Sequence, residues 1–283
     1  MRVGELELFA VGDGQVRADA GGIFGLVPRA LYQRHHVPSE PNDLTMSLRC
    51  LLVRSRGLTI LIDTGLGPKL GPEEIERWGL ARPQGGLVDG LARVGVAPDD
   101  VDIVINTHLH WDHCGGNTSL VDGSPAATFP RATYWVQRLE WADAAHPDAR
   151  TRGTYLADNF APLVAAGRVR YLHGDTPVTD QVHCVVTRGH TRGHQSVLLR
   201  SGEWQAMYVA DLATYAVHMT RTAWLTAYDV EPLENIRTKE RWQRLAVESG
   251  AWLIFEHDPE TAAARLVERG GQLELDSVEI EAA

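Results

Sequence analysis

Ten residues, THLHWDHCGG at 107–116, constrain this chain more than any other stretch. They follow directly on VDIVIN (101–106), a short apolar run rich in β-branched residues that reads as a buried strand. His108, His110, Asp112 and His113 therefore leave one strand end together. His108 and His110 stand two residues apart, so extended chain points both side chains the same way. Gly115 and Gly116 let the chain turn at once. Imidazoles grouped with a carboxylate suit zinc and similar borderline metals. Only 12 histidines occur in 283 residues, so such a cluster does not arise from composition alone.

The bulk properties narrow the classes. Hydrophobic residues make up 44% of the chain and charged ones 23%, a soluble globular balance with enough apolar material for a sizeable core. The formal net charge is -10 and no long Lys/Arg run exists, which disfavours a nucleic-acid partner. Glu5 and Glu7 interrupt the stretch where a secretory signal needs unbroken apolar residues. No window approaches the ~18 consecutive apolar residues of a membrane span, so no membrane partner is expected. Cys50, Cys114 and Cys184 are odd in number and widely spaced, as in a reducing compartment. The cytoplasm is the expected location.

Apolar runs alternate with turns and helical patterns. SLRCLLVR (47–54) and LTILID (58–63) read as a hairpin across Ser55-Arg56-Gly57. PEEIERW, opened by Pro72 and two acids, reads as a short helix, with another over 87–94. TYWVQ (133–137) and VRYLH (169–173) are strands with helical material between them. VHCVVT (182–187), SVLLRS (196–201), WQAMYVAD (204–211) and WLIFEHD (252–258) continue the strand series. Residues 233–249 read as a helix closed by Gly250, and 259–271 as a final helix with Pro259 near its start. The pattern predicts one α/β domain over 1–283 with two similar halves, strands inside and helices outside.

HLHWDH resembles the H-x-H-x-D-H motif of the metallo-β-lactamase superfamily, and the rest of the chain follows that family in order. ILIDTG (60–65) is similar to the segment whose aspartate, here Asp63, braces the metal loop. RGHTRGHQS (188–196) is similar to the G-H-T-x-G-H-x-S segment, whose first histidine is His190. VADL (209–212) supplies Asp211 at the position of the bridging aspartate, and FEHD (255–258) supplies His257 as the last ligand. The spacings resemble the N-acyl-homoserine lactonase branch. The resemblance implies a four-layer αβ/βα sandwich with the metal site at one edge of its two sheets. It implies two divalent ions, zinc foremost, with cobalt, manganese or iron as alternatives. One ion takes His108, His110 and His190, the other Asp112, His113 and His257, and Asp211 bridges them. Asp112 and Asp211 are then also catalytic, and a homodimer is a family-level expectation.

Other residues divide between roles. His194 stands as support for the ligands, and Cys114 as a small packing residue. The lactonase branch places a tyrosine three residues after the bridging aspartate; Tyr215 is four after Asp211, and Tyr228 is its rival for polarising the substrate. In GGIFGLVP (21–28), Phe24 and Leu26 either line an apolar substrate wall or pack into the core. Trp111 sits inside the metal motif, while Trp78 and Trp224 lie in segments that can cap the pocket, most of the eight tryptophans being core or helix packing.

The reading implied for function is hydrolysis of a lactone or ester by a metal-bridging hydroxide, foremost an N-acyl-homoserine lactone, hence quorum quenching. The alternatives are an aryl-ester or organophosphate hydrolase of the methyl-parathion-hydrolase type, an iron-dependent persulfide dioxygenase, and a non-catalytic metal-binding sensor. The partner is a small-molecule substrate in each catalytic case.

Overall fold

The structure, a computed structural model, describes residues 1–280, so the unit expected over 1–283 runs three residues beyond the described ones. Two seven-stranded sheets pack face to face. The first begins with Arg2–Val3 and the long strand Leu6–Asp19, followed by Asp43–Ser55 and Leu58–Ile62, all antiparallel. Three parallel strands extend it: Ile103–Ile105, Thr133–Gln137 and Val169–Leu172. The second sheet runs Thr176–Pro177, Val182–Val186, Gln195–Ser201 and Trp204–Tyr208 antiparallel, then Trp252–Ile254 parallel.

Both faces of each sheet are covered, and the sequence shows why. Along a strand, alternate side chains point to opposite faces. Leu51, Val53, Ile60, Ile62, Ile103 and Ile105 meet Val182, Cys184, Val197, Leu199 and Tyr208 between the sheets. The intervening Cys50, Leu52, Leu61 and Val104 pack outward against Leu87 and Leu91 of the helix Leu87–Arg93. In the second sheet Leu198, Met207 and Leu253 pack outward against Trp242 and Ala246 of the helix Pro232–Ser249. Strands that are apolar on both faces require helices on both sides, and the four-layer sandwich follows.

The hairpin at Arg56-Gly57 forms as the sequence predicts: both residues have positive φ, 53° and 77°, as a two-residue primed turn demands. The helix Pro232–Ser249 ends on Gly250 in the left-handed conformation, also as predicted. The expected final helix over 259–271 is absent. The strands Ala263–Arg269 and Gln272–Ser277 form a hairpin there instead. Gly270 and Gly271, with φ of 59° and 78°, make its turn, and AAARLVER carries an alternation that a helical reading overlooks. The strand Leu6–Asp19 was likewise not assigned from sequence; Gly12 and Gly14 mask its period, and the register shifts between Gly12 and Gln15.

The loops that matter for chemistry leave the C-terminal ends of Leu58–Ile62, Ile103–Ile105, Trp204–Tyr208 and Trp252–Ile254, which brings Asp63, the histidine cluster, Asp211 and His257 to one edge of the sandwich. The Gly270-Gly271 hairpin takes no part in that edge. Gly271→Val forces a β-branched residue into a left-handed position and is expected to cost about 1–2 kcal/mol. Urea denaturation checks this, as a lower midpoint with unchanged slope and unchanged metal content.

Candidate metal centre

Two groups of potential ligands meet at the sandwich edge. His108, His110, His190 and Asp211 form one and Asp112, His113 and His257 the other, the candidate atoms of each lying within 4.8 Å of one another. Within the second group His257 Nε2 is 3.0 Å from His113 Nε2, within the first His190 Nε2 is 3.1 Å from His110 Nδ1, and the groups touch where Asp211 Oδ2 lies 3.3 Å from His113 Nε2. Asp211 sits between them, with Oδ2 at 3.1 Å from His190 Nε2 and Oδ1 at 3.4 Å from His257 Nε2. All seven residues that the sequence singles out as ligands are thus brought together.

Four of the five imidazoles, all but His110, are held from behind. His190 Nδ1 lies 2.9 Å from Asp229 Oδ1, and Asp229 accepts from Thr226 Oγ1 and Asn235 Nδ2. His257 Nδ1 donates to the Ser47 carbonyl at 2.8 Å. His113 Nδ1 faces two carboxylates, Asp63 at 3.1 Å and Glu256 at 3.0 Å. His108 Nδ1 is 3.1 Å from Thr107 Oγ1, which in turn donates to Asp63 at 2.6 Å. An imidazole with its Nδ1 proton so engaged presents a bare Nε2 lone pair inward. His108 Nε2 is buried with no hydrogen-bond partner.

The electrostatics fit a cation. Burial, reinforced by neighbouring histidines, holds the pKa of His108 and His110 well below the ordinary value, so both stay neutral. Burial works against charge on His113 too, yet Glu256, Asp112 and Asp211 raise it well above that value. Asp211 is likewise held low by His190 and His257 in spite of burial. A buried pocket that draws positive charge, built from imidazole and carboxylate donors with an inward lone pair unsatisfied, suits divalent ions of the zinc type.

Local backbone supports the geometry. Asp63 and Ala210, each just past a strand of one sheet, have φ of 55° and 47°. Such left-handed non-glycine residues concentrate at functional sites. A Cβ on Gly116 would come within 2.2 Å of the Thr64 carbonyl oxygen, and one on Gly115 as close to that of Leu66. The two glycines after the motif are therefore required by the approach of the Asp63 loop.

A cavity of about 430 Å³ opens onto His110, Asp112, His190, Asp211 and His257. Val16, Ile23, Met46, Trp78 and Trp111 give it an apolar wall, and the two tryptophan rings lie 4.3 Å apart. Arg17, Asp19, Asp43 and Arg77 add charge, and Tyr228 completes the lining. Among the described residues, no helix is long and apolar enough to cross a membrane.

The sequence model of the metallo-beta-lactamase superfamily matches residues 49–194, just over half of the chain. The chain belongs to that superfamily. An N-acyl homoserine lactonase, AttM of Azorhizobium caulinodans, is 27% identical over 225 residues, which are 74% of this chain and 81% of the relative. A probable metal-dependent hydrolase from Staphylococcus aureus has the same fold, with a TM-score of 0.90 at 25% identity over 99% of both chains. A dizinc quorum-quenching lactonase, AidC, in complex with a product, superposes with a TM-score of 0.80 at 19% identity, over 99% of this chain and 97% of that one. The chain is accordingly a superfamily hydrolase with a divalent-metal site.

Several sequence expectations need correction at the cavity. Tyr215 does not line it; the side chain is buried and its hydroxyl donates to the Thr45 carbonyl at 2.5 Å. The segment after Asp211 turns through Ala216–Met219, which carries Tyr215 behind the site and leaves Tyr228 at the cavity. Of the two placements open to Phe24 and Leu26, Phe24 takes the core, fully buried and stacked on Tyr32 at 4.6 Å, and Leu26 takes neither, being fully exposed; the wall residue from this segment is Ile23. Trp224 packs against Phe24 and not into the cavity, whereas Trp78 and Trp111 do line it. His194 behaves as expected: its Nδ1 is held by Thr187 and its Nε2 accepts the Asp211 amide at 3.2 Å. Cys114 is buried, its thiol donating to the Leu109 carbonyl, and burial pushes its pKa up.

Two carboxylates that face the candidate ligands carry no mark in the sequence motifs. Asp229, behind His190, follows Tyr228 in a segment with no motif. Glu256 adjoins His257 within the quoted FEHD; burial and the nearby Asp63 push its pKa up to about 7 against the pull of His113. Asp211→Ala is expected to strip metal from both groups and abolish nearly all activity, while Asp229→Ala lowers affinity or activity by roughly 10–100-fold. Elemental analysis with a rate assay distinguishes them; equal, full metal content in both variants would show that Asp211 lies outside the centre.

Proposed function

We propose that the chain hydrolyses lactones, foremost N-acyl-homoserine lactones, at a two-ion centre. His108, His110 and His190 would hold one ion, Asp112, His113 and His257 the other, and Asp211 both. When bound, such ions supply Lewis acidity and an acidified water near neutral pH. The observation that carries the reading is the apolar cavity laid directly over the ligand groups, with Tyr228 beside the carboxylates. The lactonase relative, AttM of Azorhizobium caulinodans, supports the substrate class.

The chain's own residues divide the work. Val16, Ile23, Met46, Trp78 and Trp111 take the acyl chain and keep water from that side of the ester. The Tyr228 hydroxyl donates to the substrate carbonyl and stabilises the oxyanion that develops there. Asp112, whose side chain is only slightly exposed, accepts a proton from the attacking water. It returns that proton to the ring oxygen as the carbon–oxygen bond breaks, giving an N-acyl-homoserine whose new carboxyl then loses the water's second proton to solvent. The complete second ligand group favours two ions over the single iron of a persulfide dioxygenase. The paired tryptophans give the aryl-ester or organophosphate alternative its footing, since flat rings pack well on such a surface.

A panel of metal-loaded protein against acyl-homoserine lactones, aryl esters and aryl phosphotriesters tests the assignment. Lactone kcat/KM is expected to rise with acyl length, by up to about 0.8 kcal/mol per buried methylene, until the cavity is full. Inert lactones of every length beside a rapidly hydrolysed phosphotriester would replace the lactonase reading with the second. Tyr228→Phe is expected to lower kcat by ~10²–10³, and Tyr215→Phe to leave kcat nearly unchanged. The reverse result would return the role to Tyr215.

A further inference from the structure

A second cavity, of about 310 Å³, is lined by Ser47, Leu48 and Arg49 of the Asp43–Ser55 strand, next along the chain from Met46 of the first. It opens beside the break in pairing between Gly12 and Gln15, where one strand bulges away from its partner. Gln15, Ser47, Arg49, Gln84 and Arg93 contribute its polar lining, and no carboxylate side chain lines it. Two arginines without an acid are unusual in a chain of net charge -10. Arg93 donates to the Gln84 carbonyl and makes no ion pair among the described residues. Arg49 bonds only to main-chain oxygens, those of Phe255, Glu256 and Asp258. The Glu256 and Asp258 carboxylates attract it from behind, but they are occupied elsewhere: Glu256 by His113 and Tyr208, Asp258 by the amides of Ala216, Glu260 and Thr261. Asp13, behind the neighbouring turn, is paired with Arg82.

The cavity wall is also the support of a metal ligand. The Ser47 carbonyl receives His257 Nδ1, the Ser47 amide donates to the His257 carbonyl at 2.8 Å, and Arg49 clasps the carbonyls on either side. We infer that this cavity binds a small oxyanion, a carboxylate, sulfate or phosphate group, on Arg49 and Arg93. Its occupancy neutralises the arginines and steadies the Phe255–Asp258 turn that presents His257. The Arg93 guanidinium can meet such oxygens in bidentate fashion, while Arg49, whose terminal nitrogens hold main-chain carbonyls, contributes its charge. The Ser47 hydroxyl and the Gln15 amide supply further donors. This site is separate from the substrate cavity and does not depend on the lactonase reading.

The test uses metal-loaded protein titrated with sodium sulfate and, separately, sodium acetate, against sodium chloride at matched ionic strength. Thermal melting and the rate of metal loss to a chelator are read together. The expected result is a saturating rise in Tm with slower metal loss, and unchanged KM for the substrate. Arg93→Gln should need at least tenfold more anion for the same shift, and Gln15→Leu a smaller increase. A rise that never saturates is the general effect of an excluded salt and overturns the proposal. A saturating rise that is unaltered in Arg93→Gln, or that raises KM competitively, places the anion at the metal centre or elsewhere and overturns it as well. A preference for acetate over sulfate identifies a carboxylate as the natural ligand, and the reverse a phosphate or sulfate group; either result supports the site.

Discussion

The structure depends on buried imidazoles that share one point of aim. Crowding His108, His110, His113, His190 and His257 within touching distance leaves several nitrogen lone pairs without protons to receive. Such an arrangement is costly unless something positive stands among them. The fold accepts it because the outer nitrogen of most of these rings is fixed to an acceptor that cannot move. Those acceptors come from both sheets: Asp63 and Ser47 from the first, Asp229 and Glu256 from the second half. The centre therefore ties the two halves together, and the sandwich in turn fixes the direction of every ring.

Much of this was legible in the chain. Ligand residues announce themselves because coordination demands particular side chains, and strand ends announce themselves by short β-branched runs. Asp63, His190, Asp211 and His257 fall at such ends, so motif and element agree. The alternating apolar positions of Leu51–Val53 and Val197–Leu199 likewise encode the two-faced sheets.

What was hidden depends on paths that no local pattern fixes. Tyr215 stands nearer Asp211 in sequence than Tyr228 does, yet only the course of residues 212–230 decides which reaches the cavity. That course is set by the helix Pro232–Ser249: Lys239 holds the Trp224 carbonyl, Gln243 the Met219 carbonyl, and Asn235 the Asp229 carboxylate. The glycines of Leu6–Asp19 and the alanines of Ala263–Arg269 hid two strands because their propensities point elsewhere. In both cases cross-strand pairing decided the outcome. Phe24 and Leu26 show the same limit: an apolar residue in a glycine-rich turn has no sequence mark that says which way it faces.

The wall of the substrate cavity and the cage of ligands are built from different parts of the chain. Ile23, Met46, Trp78 and Trp111 lie on the Ala20–Phe24 helix, the early reach of a long strand, the Pro72–Trp78 helix and the metal motif itself. Apart from Trp111, they are remote in sequence from every metal-binding position. Mutation can therefore remodel the shape and size of the pocket while the reactive centre is inherited intact. A lineage with this division of labour can drift from one class of substrate to another in small viable steps, carrying its chemistry along unchanged.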